Sequence, residues 1–402
     1  MPPSLLWWLR WNAKRKGNIM SRIHKIVIAC DSFKGSCSAI DVTRHLEEGL
    51  LSHRPDLNII KVPVADGGEG TVEALLFATG GQEIHTPAAD PLGRLRTASF
   101  GLLSDGSAVL EMAAASGLTL LTPEERDPRI TSTYGTGQLI KAALDQGCKK
   151  MILGIGGSAT NDGGAGMAAA LGVKFYDTDG IELRFDSGNC GGASLAHLSH
   201  VDISGLDPRL ADCEIIVACD VNNPLCGDRG ASAIYGPQKG ATPEMVQELD
   251  AALHHYSHIV MEDLKCDPNC DLSAFPGAGA AGGLGFGLMA FCGAEIRSGI
   301  ESVLDMVHFE DLVNDADMVI TGEGCSDDQT ENGKLCSELA IFCNARNVPC
   351  YLLSGKITED PGNLFAGFLA TVPVEMPFEE IKPRSAELLF DAAVTFCRKY
   401  CL

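Results

Sequence analysis

Basic residues are scarce in this chain: 31 lysines and arginines face 53 aspartates and glutamates over 402 residues, a net charge of −22 at pH 7. That balance excludes nucleic acid and anionic membrane as partners, both of which need a basic face. No CxxC pair occurs among the 16 cysteines. Cys266 with Cys270 and Cys397 with Cys401 come nearest to a ligand spacing, but neither has the second cluster that a structural zinc site needs. Reduced thiols and a cytoplasmic location follow, with Cys30, Cys219 and Cys292 serving as small hydrophobes within apolar runs. The long uncharged run, residues 272–294, is broken by glycines from Gly277 to Gly293 and makes a poor membrane span. Tryptophan is confined to the first twenty residues, MPPSLLWWLRWNAKRKGNIM, whose apolar part is too short to span and is followed by no small-residue cleavage site. Met20 precedes the first strand pattern, so residues 1–20 are read as a dispensable extension.

What remains has 45% apolar and 21% charged residues, the profile of a soluble globular protein, and its length suits two domains. The pattern is organised around MILGIGGSATNDGGAGMAAA, which starts at Met151. An apolar run ends in Gly156 and Gly157, passes through Ser158, Asn161 and Asp162, and returns to a helical pattern at Gly163. This reads as strand, loop, helix, with backbone N–H groups at a helix start where an anion can rest. Asp162 would repel a phosphate unless it holds a cation or accepts a proton; the plain alternative is that Asn161 or Asp162 caps the helix.

The arrangement recurs. KIVIACDSFKGS places Asp31, Ser32 and Lys34 after a buried-type strand, where a capping Asp or Ser and a solvated Lys are the simpler reading. A strand over Ile59–Val64 leads into Asp66-Gly67-Gly68-Glu69-Gly70 and a helix from Thr71; two acids in a three-glycine loop exceed what a turn requires and suit Mg²⁺ or abstraction of a hydroxyl proton. From about residue 81 shorter runs with Asp90-Pro91, Gly93 and Asp105-Gly106 predict hairpin strands and a second domain. Glu111 and Ser116 lie near its loops, and Arg126, Asp127 and Pro128 lead into the hydroxyl cluster Thr131, Ser132, Thr133 and Thr136 before a helix. Residues 177–192 read as a surface excursion. A strand over Glu214–Ala218 delivers Asp220, Asn222 and Asn223, and Lys239 sits in a constrained turn before a helix over 243–264. GAGAAGGLG, with Gly277, Gly279, Gly282 and Gly283, lacks a preceding strand and a following acid, so it is read as a phosphate-facing loop leading into close helix packing rather than as a dinucleotide fingerprint. A last strand from Met318 leads into Glu323, Cys325, Asp327, Gln329 and Lys334, followed by two further β/α units.

In order across residues 25–335, DSFKGS, VPVADGGEGTVEAL, EMAAASGL, TSTYGTGQLI, GIGGSATNDGGAGM, ACDVNNPL, GPQKGA, PGAGAAGGLG and ITGEG resemble the bacterial type I glycerate kinases. The resemblance implies ATP- and Mg²⁺-dependent phosphorylation of D-glycerate at the 2-hydroxyl, giving 2-phosphoglycerate and ADP. It also implies an α/β fold of two domains: a discontinuous Rossmann-like three-layer domain, residues 21–82 and 298–402, and an inserted mixed α/β domain, residues 83–297, with the active site in the cleft. A homodimer is compatible with it. Three positions depart from the family pattern: Cys325 where an Arg is usual, Cys336 where a Pro is usual, and Cys30 in place of a common Pro.

On this reading Asp66 or Asp162 is the base facing the glycerate hydroxyl, and Asp220 and Glu69 stand near Mg²⁺. Lys34 and Lys239 neutralise phosphate or hold the carboxylate. Gly156, Gly157 and Ser158, with Gly277, Gly279, Gly282 and Gly283, cradle the nucleotide, and Asp31, Ser32, Asn161 and Glu323 bind substrate. The alternatives are a kinase acting on the 3-hydroxyl, a non-catalytic metabolite-binding homologue, and an NAD-dependent dehydrogenase, which the missing strand-then-GxGxxG arrangement disfavours.

Overall fold

The computed structural model describes residues 23–65, 67–68, 70–267, 269–326, 335–358, 360–372 and 376–401. The N-terminal extension, Asp66, Glu69, Asp327, Gln329 and Lys334 lie outside the described residues. The chain forms two compact units, one ending at Val62 and resuming at Glu310, the other spanning Pro63–Phe309. In chain order, β1 (Lys25–Cys30) and β2 (Asn58–Lys61) open the first unit. The second carries β3 (Gln82–Ala89), β4 (Leu95–Leu102), β5 (Ala108–Glu111), β6 (Lys150–Gly154), β7 (Lys174–Asp177), β8 (Leu198–Asp202), β9 (Glu214–Ala218) and β10 (Glu295–Arg297). The chain then returns to the first unit with β11 (Met318–Gly322), β12 (Cys325–Ser326), β13 (Cys350–Ser354), β14 (Lys356–Ile357) and β15 (Gly367–Ala370).

The first unit is a Rossmann-like, all-parallel sheet in the order β15-β13-β11-β1-β2. Ile26 to Cys30 are all buried, as a strand covered on both faces requires. The strand order reverses between β1 and β11, and the carboxyl ends at such a reversal are where open α/β sheets bind ligands. Helices Ala39–His53 and Ser385–Tyr400 cover the sheet through Leu46, Leu50 and Phe396. Their crossing is tight because Gly49 has no side chain: a Cβ there would lie 2.5 Å from the Phe390 carbonyl oxygen and 2.6 Å from Ala393 Cβ.

The second unit has a six-stranded sheet, β10-β9-β6-β5-β4-β3, parallel from β10 to β5 and antiparallel from β5 to β3. The hairpin expected after residue 81 is present, but the unit borders fall at Val62/Pro63 and Phe309/Glu310 rather than at 82/83 and 297/298. The reason is packing. Helix Thr71–Thr79 lays Leu76 against Gly81 and Gly101, so it belongs with the hairpin that follows it. The strand expected over Ile59–Val64 stops at Lys61. Residues 177–192 are not merely a surface excursion, since they carry Phe185 into an aromatic cluster with Phe175 (5.6 Å between centroids), which also meets Tyr256 (6.3 Å) and Phe291 (5.9 Å).

Gly49→Ala would gain at most about 1 kcal/mol of helix propensity. It would lose about 1–3 kcal/mol to overpacking against the Phe390 carbonyl. A net loss in urea denaturation is therefore expected; an unchanged midpoint would mean that the two helices can part at this crossing.

Candidate active site

β6 delivers the central loop. Gly154 ends the strand in backbone contact with Gly67, where a Cβ would fall 2.1 Å from the Gly67 carbonyl oxygen. Gly156 and Gly157 are exposed and Ser158 is buried. From Ser158 onward the loop is held by side chains from several elements. Lys239, 1% exposed, donates through Nζ to the Thr160 carbonyl at 2.6 Å and to Ser158 Oγ at 3.0 Å. Thr131 Oγ1 donates to the Ala159 carbonyl at 2.9 Å. Asn161 donates to Ser232 Oγ at 2.9 Å, and its own Oδ1 is buried without a partner.

Asp162 is fully buried and collects four donors. Its Oδ2 accepts from Thr133 N (2.8 Å), Thr133 Oγ1 (2.9 Å) and Gly166 N (3.2 Å), and its Oδ1 from Gly164 N (3.3 Å). It thus fills the capping role for the short helix Ala165–Ala170 and ties it to the hydroxyl cluster. Burial raises its pKa, and the hydrogen bonds from Thr133, Gly166 and Gly164 oppose that shift.

Gly282 and Gly283 pack against this loop, and Gly277 and Gly279 against the segment that follows β9. All four named glycines are buried. Ala281, Gly282 and Gly283 are consecutively left-handed, with φ of 53°, 70° and 89°. Gly282 accepts from Gly163 N at 3.0 Å, and a Cβ on it would stand 1.9 Å from the Thr160 carbonyl oxygen. Gly279 would meet the Pro224 carbonyl oxygen at 2.1 Å. Backbone approach therefore explains Gly279 and Gly282, with Gly156 and Gly157 left as the exposed glycines of the set.

Asp220, exposed after β9, accepts through Oδ1 from Gly299 N (2.9 Å) and Ser298 Oγ (3.2 Å), capping helix Gly299–Met306. Among the described residues no group of three or more His, Cys, Asp or Glu is arranged to hold a metal ion. Asp220 is nevertheless a solvent-facing carboxylate of the chemistry a hard cation prefers.

In the first unit Asp31 and Ser32 follow β1 and Glu323 follows β11, the two strands that flank the reversal of order. Asp31 accepts from Ser32 N at 2.5 Å, and its own N–H donates to the Gly322 carbonyl at 2.9 Å. Glu323 accepts from Ser326 Oγ at 3.1 Å, while its carbonyl takes Gly355 N at 3.0 Å. Lys34 is exposed in the turn between Phe33 and Cys37. The departures differ in setting. Cys336 is buried beneath Thr321 Oγ1 (3.5 Å), its thiol pKa pushed far up by burial and by the charge of Glu323, whereas Cys325 is exposed. All sixteen cysteines are free.

Sequence reasoning did not find Ser232 or Tyr256, whose hydroxyl donates to the Gly163 carbonyl at 3.1 Å. Each is an ordinary residue within a helix, and only the tertiary fold brings it to the loop.

A family model described as the glycerate kinase family matches residues 26–400. The chain belongs to that family. It is 51% identical over 339 residues to the glycerate 2-kinase of Escherichia coli K12, covering 84% of this chain and 87% of the relative. To a glycerate kinase of Haemophilus influenzae it is 49% identical over 352 residues, covering 87% and 91%. A crystal structure assigned to a glycerate kinase 2 of Salmonella typhimurium LT2 superposes with a TM-score of 0.84 at 45% identity, covering 94% of this chain and 98% of that one. In this glycerate kinase family member no helix among the described residues is long and apolar enough to cross a membrane.

Burial pushes the Lys239 ammonium down from its ordinary 10.5 to about 7, with the Asp162 charge opposing. Between those values the unfolded chain binds the proton and the folded chain does not, so this group makes stability rise with pH across that window and adds no slope below it. The stability of the parent chain relative to Lys239→Met should climb from pH 7 to 10, by at most about 1.4 kcal/mol per pH unit, in urea titrations at each pH. A pH-independent difference would mean that Lys239 keeps its proton.

Proposed function

We propose that this chain transfers the γ-phosphoryl group of ATP to the 2-hydroxyl of D-glycerate, giving 2-phosphoglycerate and ADP in the cytoplasm. The observation that carries this reading is the match to the E. coli glycerate 2-kinase along most of both chains. Phosphoryl transfer asks a protein for in-line positioning, for positive charge around the spreading phosphate charge, and for an acceptor of the hydroxyl proton.

The amides of Gly156, Gly157 and Ser158 are assigned to the nucleotide phosphates, a reading that the exposure of the two glycines supports. Gly282 and Gly283 back that loop from behind, while Gly277 and Gly279 pack against the segment after β9 and are assigned with them to the nucleotide side of the site. Lys239, committed to Ser158 and Thr160, is a positioning residue for the loop, and Asp162 positions it from the helix side. Since both Asp162 oxygens already accept hydrogen bonds, Asp66 is the better base for the glycerate hydroxyl. Asp220 and Glu69 would hold Mg²⁺, which when bound neutralises phosphate charge. Lys34, Asp31, Ser32, Asn161 and Glu323 are assigned to substrate binding.

Asp66→Asn should lower kcat by about 10²–10⁴, the usual worth of a general base. Asp162→Asn should instead cost about 1–3 kcal/mol of stability and reduce kcat less, because an amide nitrogen would face the Gly164 N–H. ADP release with Mg-ATP and D-glycerate, with the product identified by NMR, tests reaction and regiochemistry together. Near-normal turnover in Asp66→Asn would overturn the base assignment, and 3-phosphoglycerate as product would move the reaction to the other hydroxyl.

A further inference from the structure

Arg126 stands between two acids, Glu125 and Asp127, and pairs with neither. Glu125 Oε1 is held by Arg94 Nη1 at 2.6 Å, and Asp127 Oδ2 by Arg129 Nη2 at 2.7 Å. Among the described residues the Arg126 side chain has no hydrogen bond or ion pair, and its Nε is buried without an acceptor. The other described arginines without a partner, Arg96, Arg229 and Arg398, are exposed. Arg126 is half-buried. In a chain with 53 acids and 31 bases, a half-buried guanidinium whose Nε is withdrawn from water and which is kept from its own neighbouring carboxylates is a donor held open.

Its place is beside the central loop. A Cβ on Gly240 would meet the Arg126 carbonyl oxygen at 2.3 Å and Arg126 Cβ at 3.1 Å, so Arg126 lies directly against the turn that carries Lys239. The Lys239 Nζ in turn grips Ser158 and Thr160. The same loop holds a second unsatisfied atom, the buried Oδ1 of Asn161. An open guanidinium donor and an open acceptor thus lie on segments joined through one lysine, which binds the loop at Ser158 and Thr160.

We infer that Arg126 is an anion-binding residue of this site, its planar fork gripping two oxygens of a bound substrate. The chemistry required is an oxyanion with two coplanar acceptors, which either the carboxylate of glycerate or a phosphate of ATP supplies. The inference rests on the glycerate kinase reading above.

The test is Arg126→Gln and Arg126→Lys in the full chain, with KM measured separately for D-glycerate and ATP and ATP affinity measured by calorimetry. Arg126→Gln should raise one of the two KM values 10- to 100-fold on the order expected for one charge-assisted contact, leaving the other within about twofold. Arg126→Lys, which keeps the charge and loses the fork, should recover part of the loss. A rise for glycerate with unchanged ATP affinity assigns the carboxylate; weaker ATP binding assigns the phosphate. Both KM values unchanged in either variant would overturn the inference. Should Arg126→Gln not fold, Arg126→Lys alone decides, by a KM shift or its absence. Failure of the kinase reading is separate: it would appear as no glycerate-dependent ADP release by the parent chain, whose ATP and D-glycerate affinities would still be compared with those of the variants.

Discussion

The candidate site depends on a loop that makes little regular structure of its own and is held in place by a buried lysine. Lys239 reaches Ser158 and Thr160 from a turn some eighty residues away in sequence. A lysine so buried carries a desolvation penalty, which the Asp162 charge offsets only in part, as its lowered pKa records. The other supports follow from the same requirement. Asp162 draws the Thr133 hydroxyl and two helix amides together, and Gly282 and Gly283 let a helix start press against the loop backbone. What stays exposed is the pair Gly156 and Gly157. Rigidity behind a bare backbone edge is what preorganised anion binding needs.

Most of the fold was legible because its signals are local. The apolar run of β1 and the runs of β6, β9 and β11 end in glycine or acid, and each proved to be a buried parallel strand with its polar residues at the carboxyl end. The hairpin after residue 81 announced itself through turn residues. The unit borders were harder, since a border is decided by what helix Thr71–Thr79 packs on and not by its own composition. Phe185 was missed for a similar reason: the stretch around it is polar and glycine-containing, and a single aromatic anchors it in the core.

At the site, residue identity was readable and division of labour was not. The spacing of GGSATND marks a loop of consequence, yet which of its residues face solvent is set by segments remote in sequence, such as Gly117, Gly192 and Gly282. Asp162 looks like a second acid for chemistry until its four donors are counted. Lys239 looks like a surface lysine until its burial is known. The cysteine departures likewise divide by environment. Cys30 and Cys336 fill apolar space in the first unit, while Cys325 occupies an exposed position and supplies no charge there.

The way the chain leaves the first unit at Val62 and returns at Glu310 governs its synthesis. β1 is central in the finished sheet, but its neighbour β11 emerges only after the entire second unit, about 250 residues later. At ribosomal speed that interval is on the order of 10–50 s. During it β1 can pair with β2 but its other edge has no strand to pair with, while every strand of the second sheet becomes available. The second unit can therefore complete its core on the ribosome, and the first can close only as the C-terminal segment arrives, leaving the nascent N-terminal strand as the stretch most in need of shielding from other chains.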